Sequence, residues 1–318
     1  MRTIFMGSST LACPSLERMM CTPGFEVVGV VTQPDRPRGR RQEVGGCPVA
    51  ERARSLGAAV LTPENVNSPE SVAALATLRP DVIAVAAYGQ ILKRPVLDLP
   101  RAGCLNLHGS ILPRYRGAAP IQWAIASGDT STGVTVIFMN ERMDAGDIIL
   151  TREVPILPDD TGGSLSERMA VVGAGAFVDA TMAVRDGTAV RVRQDDTMAT
   201  FARKLTKEDG LVDWNMQAEA IHNRVRAFNP WPCCWTTIPF ERGGHVLRIL
   251  RTRVEAAVSG RPGTVADIGG DGPVVSAGSA GVRLLEVQQE GRRAMGGAEF
   301  LRGRPMRVGD LLGTARPG

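Results

Sequence analysis

"DVIAVAAY", residues 81–88, decides the fold. After its opening aspartate, every side chain up to the closing tyrosine is Val, Ile or Ala, at odd and even positions alike. A strand with one face in water alternates apolar and polar residues, whereas a run apolar at both parities belongs in a sheet covered on both faces. The same composition recurs in "RTIFMG" (2–7), "EVVGVVTQ" (26–33), "AAVLT" (58–62), "GCLNLHGS" (103–110) and "TGVTVIFMN" (132–140). Helical patterns over about 9–22, 48–57 and 68–79 separate the first of these runs, and strand–helix–strand repetition spells a parallel sheet. A long helix with Ala, Val and Met on its inner side is expected over 161–187.

Composition changes after about residue 190. "RQDDTMATFARKLTKEDGLVDW" is polar and mixed, a helix follows over 218–228, and from about 236 short strand patterns are punctuated by glycine. Turn signals at that interval suggest a small β-barrel or sandwich. We therefore expect a first domain over 1–190, a linker over 191–210 and an all-β domain over 211–318, in keeping with ~100–200 residues per domain.

Several classes are disfavoured. The start "MRTIFMGSST" reads as a strand and turn rather than a secretion signal, and no run approaches the ~20 apolar residues of a membrane span. Six cysteines, Cys13, Cys21, Cys47, Cys104, Cys233 and Cys234, show no CxxC pair and read as reduced thiols. No zinc spacing and no Walker loop appears, so no metal is expected, and "FMGSST" lacks the G-x-G-x-x-G of a bound dinucleotide. A soluble, cytoplasmic, monomeric protein without membrane attachment is the expectation. The net charge of +4 permits an anionic partner without requiring one.

In an open parallel sheet, ligands sit beyond the carboxyl ends of the strands. Three segments are expected to leave strands there: "YGQIL" (88–92), "NLHGSILP" (106–113) and "NERMDAGD" (140–147). Asn106 and His108 share parity, so both project from one face of their strand. Two polar groups on one buried face need partners, and Asp144 supplies a carboxylate. The trio lacks a serine or cysteine nucleophile, which argues against a covalent intermediate. It suits direct acyl transfer between two bound substrates. Asn106 and His108 would donate to the developing oxyanion, worth ~3–4 kcal/mol per donor, while Asp144 would stabilise the imidazolium and help remove the proton of an attacking amine. A core histidine and a plain Asp-Gly turn remain the alternative reading of His108 and Asp144. His222 and His245 read as ordinary packing or surface residues.

The segment "QPDRPRGRRQEVGG" (33–46) holds Arg36, Arg38, Arg40 and Arg41 without apolar periodicity. It is either a solvated loop or a finger that binds phosphates. Arginines of the last region, Arg248, Arg251 and Arg253 and then Arg292, Arg293, Arg302, Arg304 and Arg307, give a weaker signal of the same kind.

"NLHGSILPRYRGAAPI" (106–121), with "MDAGD" downstream and "TQPDRPRGR" upstream, closely resembles the folate-dependent formyltransferases, and within them the methionyl-tRNA formyltransferase family. "VAAYGQIL", "TGVTVIFM", "RAFNPWP" and the C-terminal "GTV" strand fall where that family has them, so the resemblance covers nearly the whole chain. It implies a Rossmann-like sheet followed by an oligonucleotide-binding (OB)-like barrel. It also implies transfer of the formyl group of 10-formyltetrahydrofolate to the amino group of methionyl initiator tRNA. Carried onto this sequence, the resemblance assigns catalysis to Asn106, His108 and Asp144. It assigns folate contact to Ser110, Ile111, Leu112 and Pro113 and to the backbone of Gly89, Gln90, Ile91 and Leu92. RNA contact falls to Arg36, Arg38, Arg40 and Arg41. Two departures stand out: Ser8-Ser9 replaces the family's Thr-Pro, and Gln42-Glu43 follows the arginines where lysines are usual. The alternatives are a folate-dependent enzyme with an amino-sugar nucleotide, another small amine or water as acceptor, and a non-catalytic RNA-binding protein.

Overall fold

The computed structural model describes residues 1–38, 43–238, 245–303 and 306–313, with backbone alone at 36–38 and 43–45. The chain divides into two compact units: Met1–Pro120, Ser131–Pro155 and Ser166–Ala202 form the first, and Ile121–Thr130, Ile156–Leu165 and the chain from Arg203 onward form the second.

In the first unit the chain runs through β1 (Arg2–Gly7), α1 (Cys13–Cys21), β2 (Glu26–Val31), β3 (Arg36–Arg38), β4 (Glu43–Gly45), α2 (Pro48–Ser55), β5 (Val60–Leu61), α3 (Pro69–Thr77), β6 (Val82–Ala86), α4 (Arg94–Leu97) and β7 (Cys104–His108). After β8 (Arg116–Gly117) the chain passes through α5 (Pro120–Ala126), which belongs to the second unit from Ile121 on, and returns in β9 (Ser131–Phe138), β10 (Ile148–Pro155), α6 (Gly162–Arg185, first unit from Ser166) and β11 (Phe201–Ala202). The main sheet has the order β10-β9-β7-β6-β1-β2-β5. Its centre is parallel, as the doubly apolar runs demand, and all five residues of β6 are buried. Ile4, Met6, Val31, Leu75, Ile83 and Val85 pack as one core cluster, each such side chain contributing about 1.5–3 kcal/mol on full burial. The helices start where local chemistry starts them: Ser68 Oγ caps α3 by accepting from Ser71 N at 3.2 Å, with Pro69 opening its first turn.

One expectation is corrected here. β9 runs antiparallel to β7, and β10 antiparallel to β9, so 140–147 does not leave the carboxyl end of a parallel strand. The loop doubles back instead, and Asn106, Ile137 and Ile148 lie level across three strands. Within the basic segment, β3 pairs antiparallel with β4.

The second unit contains α7 (Ala218–Ala227), β12 (Cys234–Ile238), β13 (His245–Glu255), β14 (Val265–Asp267), β15 (Val274–Ser276), β16 (Gly281–Gln289), β17 (Ala294–Gly296) and α8 (Gly297–Gly303). Its antiparallel sheet has the order β12-β13-β16-β15-β14, with β17 also on β16, an arrangement compatible with an OB-like domain. Along β13 the buried Leu247, Ile249 and Thr252 are interleaved with the exposed Arg248, Arg251 and Arg253. Among the described residues, no helix is long and apolar enough to cross a membrane.

Candidate active site

Asn106 and His108 stand on the last half of β7, two positions apart and therefore on one face. The returning loop brings Asp144 to both. Its Oδ1 accepts from Asn106 Nδ2 at 3.3 Å, and its Oδ2 lies 3.6 Å from His108 Nδ1. Oδ2 also accepts from the main-chain N–H of Gly117 at 2.9 Å. The histidine and aspartate side chains are only 6% and 14% exposed, so their mutual electrostatics are weakly screened.

His108 Nε2 contacts the carbonyl oxygen of Tyr115 at 2.9 Å. A carbonyl only accepts, so Nε2 carries the hydrogen and Nδ1 is the nitrogen presented to the carboxylate. Sequence reading expected the imidazole to aim a donor at substrate; here that donor is engaged by the chain itself. Asn106 differs, since an amide carries two hydrogens and Asp144 takes one of them.

The backbone around this cluster is unusual. Asp144, Tyr115 and Ala87 have φ of 51°, 59° and 46°, a conformation costing on the order of 1–3 kcal/mol for a residue with a side chain. Gly117 has φ 120°, and a Cβ there would stand 2.6 Å from the Ala202 carbonyl oxygen. Glycine is therefore required where the N–H reaches Asp144. Gly146 is tighter still, with its Cβ position 1.6 Å from the Phe138 carbonyl oxygen.

The residues expected to touch folate divide into two sorts. Ser110 is fully buried, and its hydroxyl donates to Arg114 O at 2.6 Å; Leu112 is buried, and its N–H donates to Thr135 Oγ1 at 3.1 Å. Both build the turn from within, while Ile111 and Pro113 are partly exposed. In the other segment Leu92 belongs to the core cluster, and Gln90 accepts from Val66 N at 2.9 Å through Oε1. Ile91 is 66% exposed, and Gly89, at φ 90°, is exposed too. The main chain of that segment is fixed from a neighbouring strand end: Ser8 Oγ donates to Tyr88 O at 3.1 Å and accepts from Gln33 N at 2.9 Å. The departure at position 8 thus joins the ends of β1, β2 and β6. Of the expected RNA-contacting arginines, Arg36 and Arg38 lie on β3, and Arg40 and Arg41 lie outside the described residues.

Sequence reading missed the groups behind the acid. Arg116 is buried, with Nη2 donating to Gln194 Oε1 at 2.7 Å and to Asp196 Oδ1 at 2.8 Å. Asp196 also accepts from Arg142 Nη2 at 2.9 Å. Its hydrogen bonds from Arg116 and then Arg142 hold its carboxyl below the usual carboxylate range. Gln194 sits in a polar stretch with no periodicity; its low exposure, 7%, is the signal that finds it.

Comparison with known proteins shows the family. A family model described as "Formyl transferase" matches residues 1–181, and one described as "Formyl transferase, C-terminal domain" matches 204–305. The chain is similar to "Methionyl-tRNA formyltransferase" of Geobacter metallireducens, 42% identical over 310 residues, 98% of each chain. It is likewise 42% identical to the protein of the same name from Geobacter sulfurreducens, over 99% of this chain and 98% of that one. Among solved structures, WlaRD, a sugar 3N-formyl transferase crystallised in the presence of dTDP and 5-N-formyl-THF, superposes with a TM-score of 0.65 at 16% identity, covering 92% of this chain and 99% of that one. At that identity the likeness speaks for the fold.

Proposed function

The chain belongs to the formyl transferase family, and on that premise we propose how its residues carry the reaction. It transfers the formyl group of 10-formyltetrahydrofolate to the α-amino group of methionyl initiator tRNA. The first unit carries the chemistry, and the RNA is held by the second unit and by Arg36, Arg38, Arg40 and Arg41. The enzyme works in the cytoplasm as a monomer, away from membranes.

The observation that carries the catalytic assignment is the meeting of Asn106, His108 and Asp144 around one carboxylate. The amine nitrogen attacks the formyl carbon, and charge builds on the formyl oxygen. The second amide hydrogen of Asn106 receives that charge, joined by His108 Nε2–H as it exchanges the Tyr115 carbonyl for the substrate oxygen; one such donor is worth ~3–4 kcal/mol in comparable sites. Asp144 stabilises the imidazolium and takes the amine's proton directly or through water. Breaking the bond between the formyl carbon and N10 returns the electron pair to N10, which is then protonated. Ile91, Ile111 and the main chain of Gly89–Leu92 border the folate.

The test is an acceptor comparison. The purified protein, given 10-formyltetrahydrofolate, is offered methionyl initiator tRNA, methionyl elongator tRNA and an amino-sugar nucleotide, and formylated product is measured. Formylation of the initiator in strong preference to the others is expected. Preference for the amino sugar would overturn the RNA reading. Sequence identity of 42% across the full length of the methionyl-tRNA relatives favours the first outcome over the small-acceptor alternative, whose solved representative shares 16%.

A further inference from the structure

Asp144 occupies a left-handed backbone conformation at the third position of a turn that its own loop closes with a single long bond, Ala145 N donating to Arg142 O at 3.4 Å. A further restraint comes from a segment fifty residues away. Gln194 Nε2 donates to the main-chain carbonyl of Asp144 at 2.9 Å and to that of Gly146 at 2.7 Å. One amide group thus grips the carbonyls of the two residues that flank Ala145.

Gln194 is itself held in place. Its Oε1 accepts from Arg116 Nε at 3.1 Å and Nη2 at 2.7 Å, so the amide cannot turn over without placing its NH2 against a guanidinium. The segment enters the sheet through a two-bond bridge, Ile148 N to Val192 O at 2.8 Å and Val192 N to Ile148 O at 2.9 Å. It leaves through β11, paired with β8, while Thr200 Oγ1 accepts from Tyr115 N at 2.8 Å. Asp196 adds a second grip on the same loop through Arg142. Both polar atoms of the Gln194 amide are satisfied within this array, the condition under which a buried polar group enforces one arrangement.

We infer that Gln194, oriented by Arg116, is a positioning residue for catalysis: it holds the Asp144 peptide so that the carboxylate meets Asn106 and His108 together. The inference rests on the catalytic reading of Asp144. Orientation matters at this scale because an error of about 1 Å in a reacting group costs on the order of 100-fold in rate.

Two substitutions in the full-length protein test it. Gln194→Met removes both donors at similar volume. Gln194→Glu keeps an acceptor for Arg116 but turns a carboxylate oxygen on the two carbonyls, so it preserves the scaffold while abolishing the grip. Each is expected to lower kcat at least 10-fold, with KM for 10-formyltetrahydrofolate and for charged tRNA within threefold of wild type. In an Asp144→Asn background, followed by single-turnover formylation, the same replacements should cost less than twofold, because the group they position has been removed. Wild-type kcat in either soluble variant, or an equal fold-loss in both backgrounds, would overturn the inference. Should Asp144→Asn alone retain wild-type activity, the catalytic reading fails instead, and the two failures are told apart by that single variant.

Discussion

His108 Nδ1 and Asp144 Oδ2 stand 3.6 Å apart although the residues lie on different elements, one at the end of β7 and the other in the loop returning to β10. That spacing is longer than a hydrogen bond, as catalytic contacts commonly are before substrate binds. His108→Ala and Asp144→Asn should therefore each lower kcat by about 100- to 10,000-fold, the range for a positioned acid–base group. KM for the charged tRNA should stay within a few-fold, since neither side chain is assigned to RNA. Steady-state formylation kinetics with both substrates varied check this, and an RNA-binding protein without catalysis would show no activity to lose.

Replacing Arg40 and Arg41 by alanine should act on the opposite parameter. These residues lie outside the described part of the chain, and the expectation comes from charge: each RNA phosphate that goes unneutralised flattens the salt dependence of binding by ~0.7–0.9 in log–log slope. KM for tRNA should rise and its slope against salt should fall by about one to two, with kcat nearly unchanged. A response confined to KM for folate would remove the arginines from the RNA interface.

Gly146→Ala places a methyl group against the Phe138 carbonyl, where the ideal Cβ position is 1.6 Å from the oxygen. Backbone cannot yield that distance cheaply, so the loop carrying Asp144 must move. The expected result is a loss of about 2–4 kcal/mol of stability, in the range of mutations that force backbone shifts, together with formylation below 1% of wild type. Denaturant titration and activity, measured on the same preparation, report the two effects.

In the second unit Asp209 accepts from the Arg203 guanidinium, with Nη1 at 2.8 Å, and from Thr206 N at 2.7 Å. Those bonds, Arg203's first, hold its carboxyl down at about 2, against an ordinary value of 3.8. A depressed carboxyl contributes stability that is present above the unfolded value and lost as pH falls through the folded one. The Asp209→Asn variant should thus be less stable by on the order of 1 kcal/mol above pH 4.5, a figure reduced for the exposed guanidinium. The gap should close between about pH 4 and pH 2. Thermal midpoints of both proteins across that range give the comparison, and a gap independent of pH would place the effect elsewhere.

Much of this arrangement is legible in the residues. The doubly apolar runs give the buried sheet, and the shared parity of Asn106 and His108 gives one face. The direction of β9 is not legible, because "TGVTVIF" is apolar in either orientation and strand polarity is settled by what lies beside it. Nor does the sequence say whether a motif residue faces outward or builds the turn from inside, as the buried Ser110 and Leu112 do through Arg114 O and Thr135 Oγ1. Gln194 is invisible for a third reason. The partners of its amide nitrogen are main-chain carbonyls about fifty positions away, and a carbonyl leaves no letter in the sequence.

The bridge from Val192 to Ile148 and the pairing of β11 with β8 also bear on how the protein can be dissected. The residues between about 190 and 202 look like a tether by composition, yet they belong to the first unit. A truncation ending near residue 190 would keep Asn106, His108 and Asp144 and discard their brace, so an inactive fragment would say nothing about whether RNA binding is needed for chemistry. Any stand-alone version of the first unit has to extend through Ala202.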